Sequence, residues 1–232
     1  MVNTPQEQKR KAALAALEVI ESGMKLGLGT GSTAAFMVRG LGQLYREHKL
    51  NDLICVPTSV ATRNLAQEQG LPLTTINDVD RLDLTIDGTD EFDPQLNLIK
   101  GGGGALLREK IVASLSDRFV IIADASKEVD QLGRFPLPVE VVPFAWKTVA
   151  RHIENSGIQA LLRASMNPGD PYKTDQGNYI LDLQTGGMPD LPKMKWMLEG
   201  LPGVVEHGLF LDMADEVFLG KEDRVERITK TN

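Results

Sequence analysis

The sequence predicts an α/β fold: a mainly parallel sheet with helices on both faces, joined to a small α+β subdomain. Three observations carry that expectation. Short apolar runs alternate with helical segments as far as Ala123, two glycine-rich turns connect such runs to helices, and after Gly133 the order becomes strand, helix, two strands, helix, strand. Strands alternating with helices imply right-handed crossovers and hence a Rossmann-like sheet. The later order is that of a split βαβ unit.

Taken in turn, Thr4-Pro5 caps a helix that the pattern extends to about Ser22, where Gly23 stops it. Met24 to Leu28 reads as a buried strand, and a second helix begins near Ala34. Leu53 to Val56 is predicted as strand, Val60 to Gln69 as helix, and Leu73 to Ile76, Leu82 to Ile86 and Leu96 to Ile99 as strands. A helix over Arg108 to Leu115 and the strand Phe119 to Ala123 follow. The second unit holds a strand at Val139 to Val142, a helix from Ala145 to Asn155, strands near Leu161 to Ala164 and Tyr179 to Leu183, a helix at Leu191 to Glu199 and a strand at Val204 to Leu211. Glu216 to Leu219 and Val225 to Ile228 read as a hairpin that rejoins the first sheet. These elements divide the chain into an α/β catalytic domain, residues 1–132 and 211–232, and a subdomain at 133–210.

With 232 residues and 42% hydrophobic content, the chain can bury one substantial core and a small accessory one. A net charge of -7 without a Lys/Arg-dense run argues against a nucleic-acid partner. Anionic small molecules remain compatible, because a few cations and main-chain N–H groups suffice to hold a phosphate. Cys55 is the only cysteine, so neither an internal disulfide nor a cysteine-based zinc site can form, and its apolar setting predicts a buried, inert thiol. The polar start from Met1 to Lys11 and the lack of a bilayer-length apolar run predict a cytoplasmic protein with no membrane partner.

The turn Gly27-Leu28-Gly29-Thr30-Gly31-Ser32-Thr33 lies between a strand and a helix, where free N–H groups and the helix dipole favour an anion. Thr30, Ser32 and Thr33 add hydroxyls. The plainer reading is a tight turn with Ser32 or Thr33 as an ordinary cap, and both readings stand at this point. Gly29-x-Gly31-x-x-Ala34 formally fits a dinucleotide fingerprint, but Pro57-Thr58-Ser59 follows the next strand where an acid would grip the ribose. A P-loop would need a lysine that this turn lacks.

Asp87-Gly88-Thr89-Asp90-Glu91-Phe92-Asp93 gathers carboxylates at the carboxyl end of a strand, the edge at which ligands bind in open α/β sheets. Crowded carboxylates repel one another, which raises a pKa and readies a group for proton transfer. The spacing is no EF-hand, and the histidines, His48, His152 and His207, are distant in sequence, so no metal site is predicted. A capped polar turn is the structural alternative.

Lys100 precedes Gly101-Gly102-Gly103-Gly104, a run costly in folding entropy and best explained by close backbone approach to a ligand. The glycines enter a helix with Glu109 about one turn in, within reach of a ligand held by the loop, although dipole stabilisation alone also favours a Glu there. Lys100 is suited to neutralising a phosphate or an enediolate oxygen. Lys127 ends the next buried strand at the same sheet edge. A carboxylate base, a lysine, convergent N–H donors and a phosphate turn suit proton transfer next to a carbonyl, as in aldose–ketose isomerisation, with Glu109 as the base.

Gly-Thr-Gly-Ser-Thr at 29–33, Asp-Gly-Thr-Asp-Glu at 87–91, Lys-Gly-Gly-Gly-Gly at 100–104 with Arg-Glu-Lys at 108–110, and Ala-Asp-Ala-Ser-Lys at 123–127 together resemble the type A ribose-5-phosphate isomerases. Their order, and the Phe-Pro-Leu-Pro-Val-Glu-Val from Phe135, extend the resemblance over nearly the whole chain. It implies interconversion of D-ribose 5-phosphate and D-ribulose 5-phosphate in the non-oxidative pentose phosphate pathway, with no metal or organic cofactor. It implies Glu109 as the proton-transferring base, with Asp87, Asp90 and Lys100 also catalytic, Asp87 in ring opening and Lys100 at the hydroxyls. Substrate contacts would come from Thr30, Gly31, Ser32 and Thr33, from Asp87, Gly88, Thr89 and Asp90, from Lys100, Gly101, Gly102 and Gly103, and from Lys127. A homodimer or tetramer and a ferredoxin-like subdomain are implied with it. Lys9 and Lys11 receive no role.

Two other readings share the fold. A coenzyme A transferase would use Glu109 as a nucleophile, which an acyl-CoA would label. A sugar-phosphate-sensing domain of a transcription regulator would need a DNA-binding segment, and a single helix before Met24 leaves no room for one there.

Overall fold

The structure is a computed structural model that describes residues 4–230. The outermost ends of the predicted catalytic domain, 1–3 and 231–232, lie outside the described residues. Thr4 caps α1 (Pro5–Ala15) by accepting from the Glu7 N–H. The chain then tightens into a 3-10 turn at Ala16–Val19, so the helix stops short of the predicted Ser22 and delivers Ile20 to the core. β1 (Lys25–Leu28), α2 (Ser32–Arg46), β2 (Ile54–Pro57) and α3 (Val60–Glu68) follow, then β3 (Leu84–Gly88). The predicted strand at Leu73 to Ile76 is absent: Leu73 makes one parallel bridge to Cys55, and Ile76–Asp78 closes a 3-10 turn. Beyond β2 lies an open edge, and the half-buried Leu73 has too little apolar company to extend a ladder.

β4 (Glu91–Phe92) and β5 (Leu98–Ile99) form a short hairpin, after which come α4 (Leu106–Ser114), β6 (Phe119–Asp124), β7 (Leu137–Val141), α5 (Trp146–Asn155), β8 (Gln159–Leu162), β9 (Tyr179–Gln184) and α6 (Leu191–Glu199). α4 starts two residues before the predicted Arg108, and β8 ends before Arg163, which the pattern had placed inside the strand. The predicted strand from Val204 to Leu211 is two strands, β10 (Val204–His207) and β11 (Leu209–Phe210), broken at Gly208. A side chain there would overlap the Lys100 carbonyl oxygen, so the chain leaves one sheet and enters another at the only residue type that fits. β12 (Glu216–Gly220) and β13 (Val225–Thr229) complete the chain.

The main sheet runs β13-β12-β6-β3-β1-β2, parallel except for β13, and β12 beside β6 shows the C-terminal hairpin rejoining it. Its inner strands β6 and β12 are buried on both faces, as a sheet sandwiched by helices requires, and only the edge strand β13 is largely open. The second sheet, β10-β7-β9-β8, is antiparallel and has the 4-1-3-2 order of its strands that a split βαβ unit produces. It has its own core around Leu137, Val139, Ile153, Leu181 and Leu198. A third small sheet, β11-β5-β4, lies between the two in chain connectivity and was not foreseen. Cys55 is buried in the main core, and burial pushes its thiol up to about 12. Among the described residues no helix is long and apolar enough to cross a membrane.

Strand order also locates the site. From β1 the chain moves outward to β2, then returns across β1 to β3, so the connections leave β1 and β3 in opposite directions. The crevice beyond their carboxyl ends is the switch point at which doubly wound sheets bind ligands.

Candidate active site

One cavity opens at this switch point. From the first glycine turn it is lined by Thr30, Gly31, Ser32 and Thr33; from the acidic turn by Gly88, Thr89 and Asp90; and from the second glycine loop by Lys100, Gly101 and Gly103. Glu109, Lys127 and Lys9 complete the wall. Two predicted residues are elsewhere: Asp87 is wholly buried beneath the wall, and Gly102 faces an outer cleft beside Arg163.

β1 and β3 bring the first two turns together. Asp87 Oδ1 accepts N–H bonds from Thr30 at 2.9 Å and Gly88 at 2.7 Å. A Cβ on Gly29 would overlap this carboxylate, so the glycine permits the contact. Gly31, at φ +106°, turns the chain into α2 without any side-chain cap, and the Ser32 and Thr33 amides have no acceptor among the described residues. Free amides at a helix start form an anion site. Lys9, carried to the same edge by α1, puts Nζ 3.2 Å from Ser32 Oγ, and Lys127 sits in the 3-10 turn that ends β6.

The Thr30 hydroxyl faces the protein. It bonds to Thr58 at 2.7 Å, Ser59 at 2.8 Å and Thr62 at 3.1 Å, a cluster tied to the Leu28 and Gly29 carbonyls. Thr30 thus braces the turn with its side chain, in place of the donor role the sequence suggested. The Thr89 hydroxyl is likewise taken up by the Glu91 and Ile99 carbonyls.

The centre of the site is ionic. Lys100, 2% exposed, lies 2.9 Å from Asp87 Oδ2 and 3.4 Å from Glu109 Oε2, and also donates to the Gly88 carbonyl. Its N–H is held by Gly208, and the Phe210 ring lies 5.5 Å below the ammonium. Burial opposes the Lys100 charge, yet Asp87 and Glu109 outweigh it and hold the pKa above the ordinary value. Asp87 is pushed up by burial, against the pull of Lys100 and of its two N–H donors.

Glu109 stands in the first turn of α4 and is 3% exposed, which sets it apart from the solvent-facing Glu that a helix dipole alone would place there. Its Oε2 is buried and makes no hydrogen bond. Burial, Asp87 and Asp90 together push its pKa up to about 8, against the attraction of Lys100. A carboxyl group in that range gains and loses a proton near neutrality, as a general base must. Asp90 accepts from the Gly102 N–H at 2.7 Å and so ties the acidic turn to the glycine loop. Among the described residues no group of three His, Cys, Asp or Glu side chains is arranged to hold a metal ion. An ammonium fills the space between Asp87 and Glu109.

Sequence reasoning missed Lys9 and the hydroxyls of Thr58, Ser59 and Thr62. Thr58 and Ser59 sit at the carboxyl end of β2 and Thr62 in the first turn of α3, positions that point to the site; Lys9 has no such signal, since only the packing of α1 on β6 and β12 brings it there.

The family described as ribose 5-phosphate isomerase A (phosphoriboisomerase A) matches residues 54–224. Relatives named ribose-5-phosphate isomerase A from Rhodopseudomonas palustris (strain TIE-1) and Jannaschia sp. (strain CCS1) are 50% and 49% identical. The matches cover 97% of this chain in each case, and 98% and 87% of those relatives. A solved D-ribose-5-phosphate isomerase in complex with phospho-erythronic acid superposes with a TM-score of 0.95 at 39% identity, covering 97% of this chain and 99% of that one. The ribose 5 phosphate isomerase A of Neisseria gonorrhoeae gives 0.92 at 39% identity with both chains covered in full. The likeness spans both large sheets and every turn around the cavity, and the chain belongs to the ribose 5-phosphate isomerase A family of enzymes.

Proposed function

We propose that the chain interconverts D-ribose 5-phosphate and D-ribulose 5-phosphate through an enediolate, as a step of the non-oxidative pentose phosphate pathway. The observation that carries the mechanism is Glu109: a cavity-lining carboxylate, buried, lacking a hydrogen bond of its own and raised to about 8. Glu109 takes the proton from C2 of the open-chain aldose and returns it to C1. Lys100 and the glycine-loop amides face the oxygen that gains charge. The free amides of Ser32 and Thr33, with Lys9 and Lys127, hold the phosphate. Asp87, fixed by two N–H donors and Lys100, assists ring opening, with Asp90 bridging to the glycine loop.

On this reading residues 1–132 and 211–232 form the catalytic domain and 133–210 the ferredoxin-like subdomain, which the separate antiparallel sheet and its own core support. We place the enzyme in the cytoplasm as a homodimer or tetramer on the strength of the family resemblance; light scattering tests the latter.

The direct test is formation of ribulose 5-phosphate from ribose 5-phosphate in deuterated water with a chelator present. Product carrying solvent deuterium at C1 is expected. Absence of product overturns the activity, loss of activity with chelator overturns metal independence, and absence of solvent deuterium from both substrate C2 and product C1 after prolonged equilibration overturns the enediolate.

A further inference from the structure

Arg163 stands just beyond the end of β8, on the side of the glycine loop away from the cavity. Asp182 grips its guanidinium through Nε, at 2.9 Å, and Nη2. A two-pronged pair of this kind fixes the plane of the guanidinium. The remaining Nη1 reaches 2.9 Å to the Gly101 carbonyl and 3.1 Å to the Gly102 carbonyl. Tyr172, whose ring lies 5.8 Å from the guanidinium, donates its hydroxyl to the Gly103 carbonyl at 3.3 Å. Three successive carbonyls of the loop are therefore held by side chains of the antiparallel unit.

A trans peptide sets its N–H opposite its C=O. With the Gly101 carbonyl on Arg163, the Gly102 N–H meets the Asp90 carboxylate at 2.7 Å. With the Gly102 carbonyl also on Arg163, the Gly103 N–H points the other way, finds no acceptor among the described residues, and belongs to a residue that lines the cavity. A cation on a carbonyl oxygen also polarises the peptide and strengthens the N–H as a donor.

We propose that Arg163 is a positioning residue for the isomerisation: it orients the Gly102–Gly103 peptide so that the Gly103 N–H meets the oxyanion of the enediolate. Arg163 does not touch substrate. It acts from the second unit, through Asp182 behind it and the glycine loop before it. The inference rests on the enediolate reading above, because a donor at Gly103 matters only if negative charge develops beside it. Without the guanidinium four glycines have little reason to hold one peptide orientation, and a donor displaced by about 1 Å costs on the order of 100-fold in rate.

The test compares Arg163→Lys and Arg163→Met with the parent, reading kcat and KM for ribose 5-phosphate together with inhibition by phospho-erythronic acid and by inorganic phosphate. The carboxylate of phospho-erythronic acid stands in for the enediolate oxygens, whereas inorganic phosphate reports on the phosphate end of the cavity, the amides at the start of α2 with Lys9 and Lys127. Expected are a kcat lowered about 10- to 100-fold, a KM within about threefold, phospho-erythronic acid inhibition weakened in step with kcat/KM, and phosphate inhibition unchanged. A role confined to joining the two units would lower melting temperature without that selective loss. Arg163→Lys keeps the charge and most of the volume, and it decides the matter if Arg163→Met yields no folded protein. A kcat for folded Arg163→Lys within twofold of the parent overturns the proposal. Glu109→Gln is assayed alongside: an active Glu109→Gln overturns the enediolate base, whereas an inactive one beside a fully active Arg163→Lys overturns only the role of Arg163.

Discussion

The Lys100 ammonium lies 3.4 Å from Glu109 Oε2, and both side chains are almost completely buried. Glu109 has this cation alone as its ion-pair partner among the described residues, whereas Lys100 also keeps Asp87 at 2.9 Å, and a buried charge stripped of its partner is costly. Lys100→Met is expected to abolish turnover and to destabilise the fold by about 3–5 kcal/mol at neutral pH. Urea unfolding at pH 7 measures the loss, and a change below about 1 kcal/mol would contradict the pairing.

Glu109→Gln removes the proposed base and keeps the shape. Turnover is expected to fall at least about 1,000-fold, in line with loss of a group that handles the proton directly, while phospho-erythronic acid still binds. Near-parental kcat would remove Glu109 from the mechanism.

The same variant carries a stability signature. The folded-state pKa of Glu109 is raised from 4.5 to about 8, so the folded protein holds this proton more tightly than the unfolded chain does. Its contribution is fully present below about pH 4.5 and is lost as the pH rises through about 8. Glu109→Gln should therefore melt higher than the parent at pH 9, by at least about 3 °C for a chain of this size, with the gap shrinking toward pH 5. Equal melting temperatures at both pH values would show that Glu109 carries no buried charge.

For activity the sign is opposite, because only the ionised carboxylate takes a proton. With its pKa near 8, kcat/KM should rise with pH and flatten above that value, falling about tenfold per unit well below it. A flat profile between pH 6 and 9 would assign the base elsewhere.

Much of the architecture was legible from periodicity, because strands buried on two faces and helices with one apolar side leave strong local patterns. The carboxyl-edge clustering of residues 29–33, 87–91 and 123–127 follows from the same pattern. What escaped it depends on contacts between distant segments. The pKa of Glu109 arises from burial and from Asp87, Asp90 and Lys100 closing around it, and the nine residues on either side of Glu109 contain Lys100 alone of those three. The break at Gly208 is set by the main chain of Lys100, and the inward turn of Thr30 by hydroxyls some thirty residues away. Lys9 shows the limit most clearly: its neighbours in sequence describe an ordinary helix surface.

Lys9 supplies a further expectation. Its Nζ lies beside Ser32 at the mouth of the free α2 amides, so Lys9→Met should raise KM for ribose 5-phosphate by about tenfold, the worth of one exposed charge-assisted contact, with a smaller change in kcat. An unchanged KM would leave phosphate binding to the amides and Lys127.

The hold of Gly208 on Lys100 bears on how the site is distributed along the chain. In the folded protein the Lys100 N–H meets the Gly208 carbonyl, and β6 is flanked on its outer side by β12. The chain as far as the end of α4 already contains Glu109, Lys100 and both glycine loops, yet it lacks the carbonyl that holds the Lys100 N–H. The site as the folded protein holds it is therefore complete only with Gly208 in place. Gly208 lies 94 residues beyond the end of α4, so a segment that follows the whole of the antiparallel sheet's first three strands closes a site whose other parts are all supplied by Ser114 or earlier, apart from Lys127.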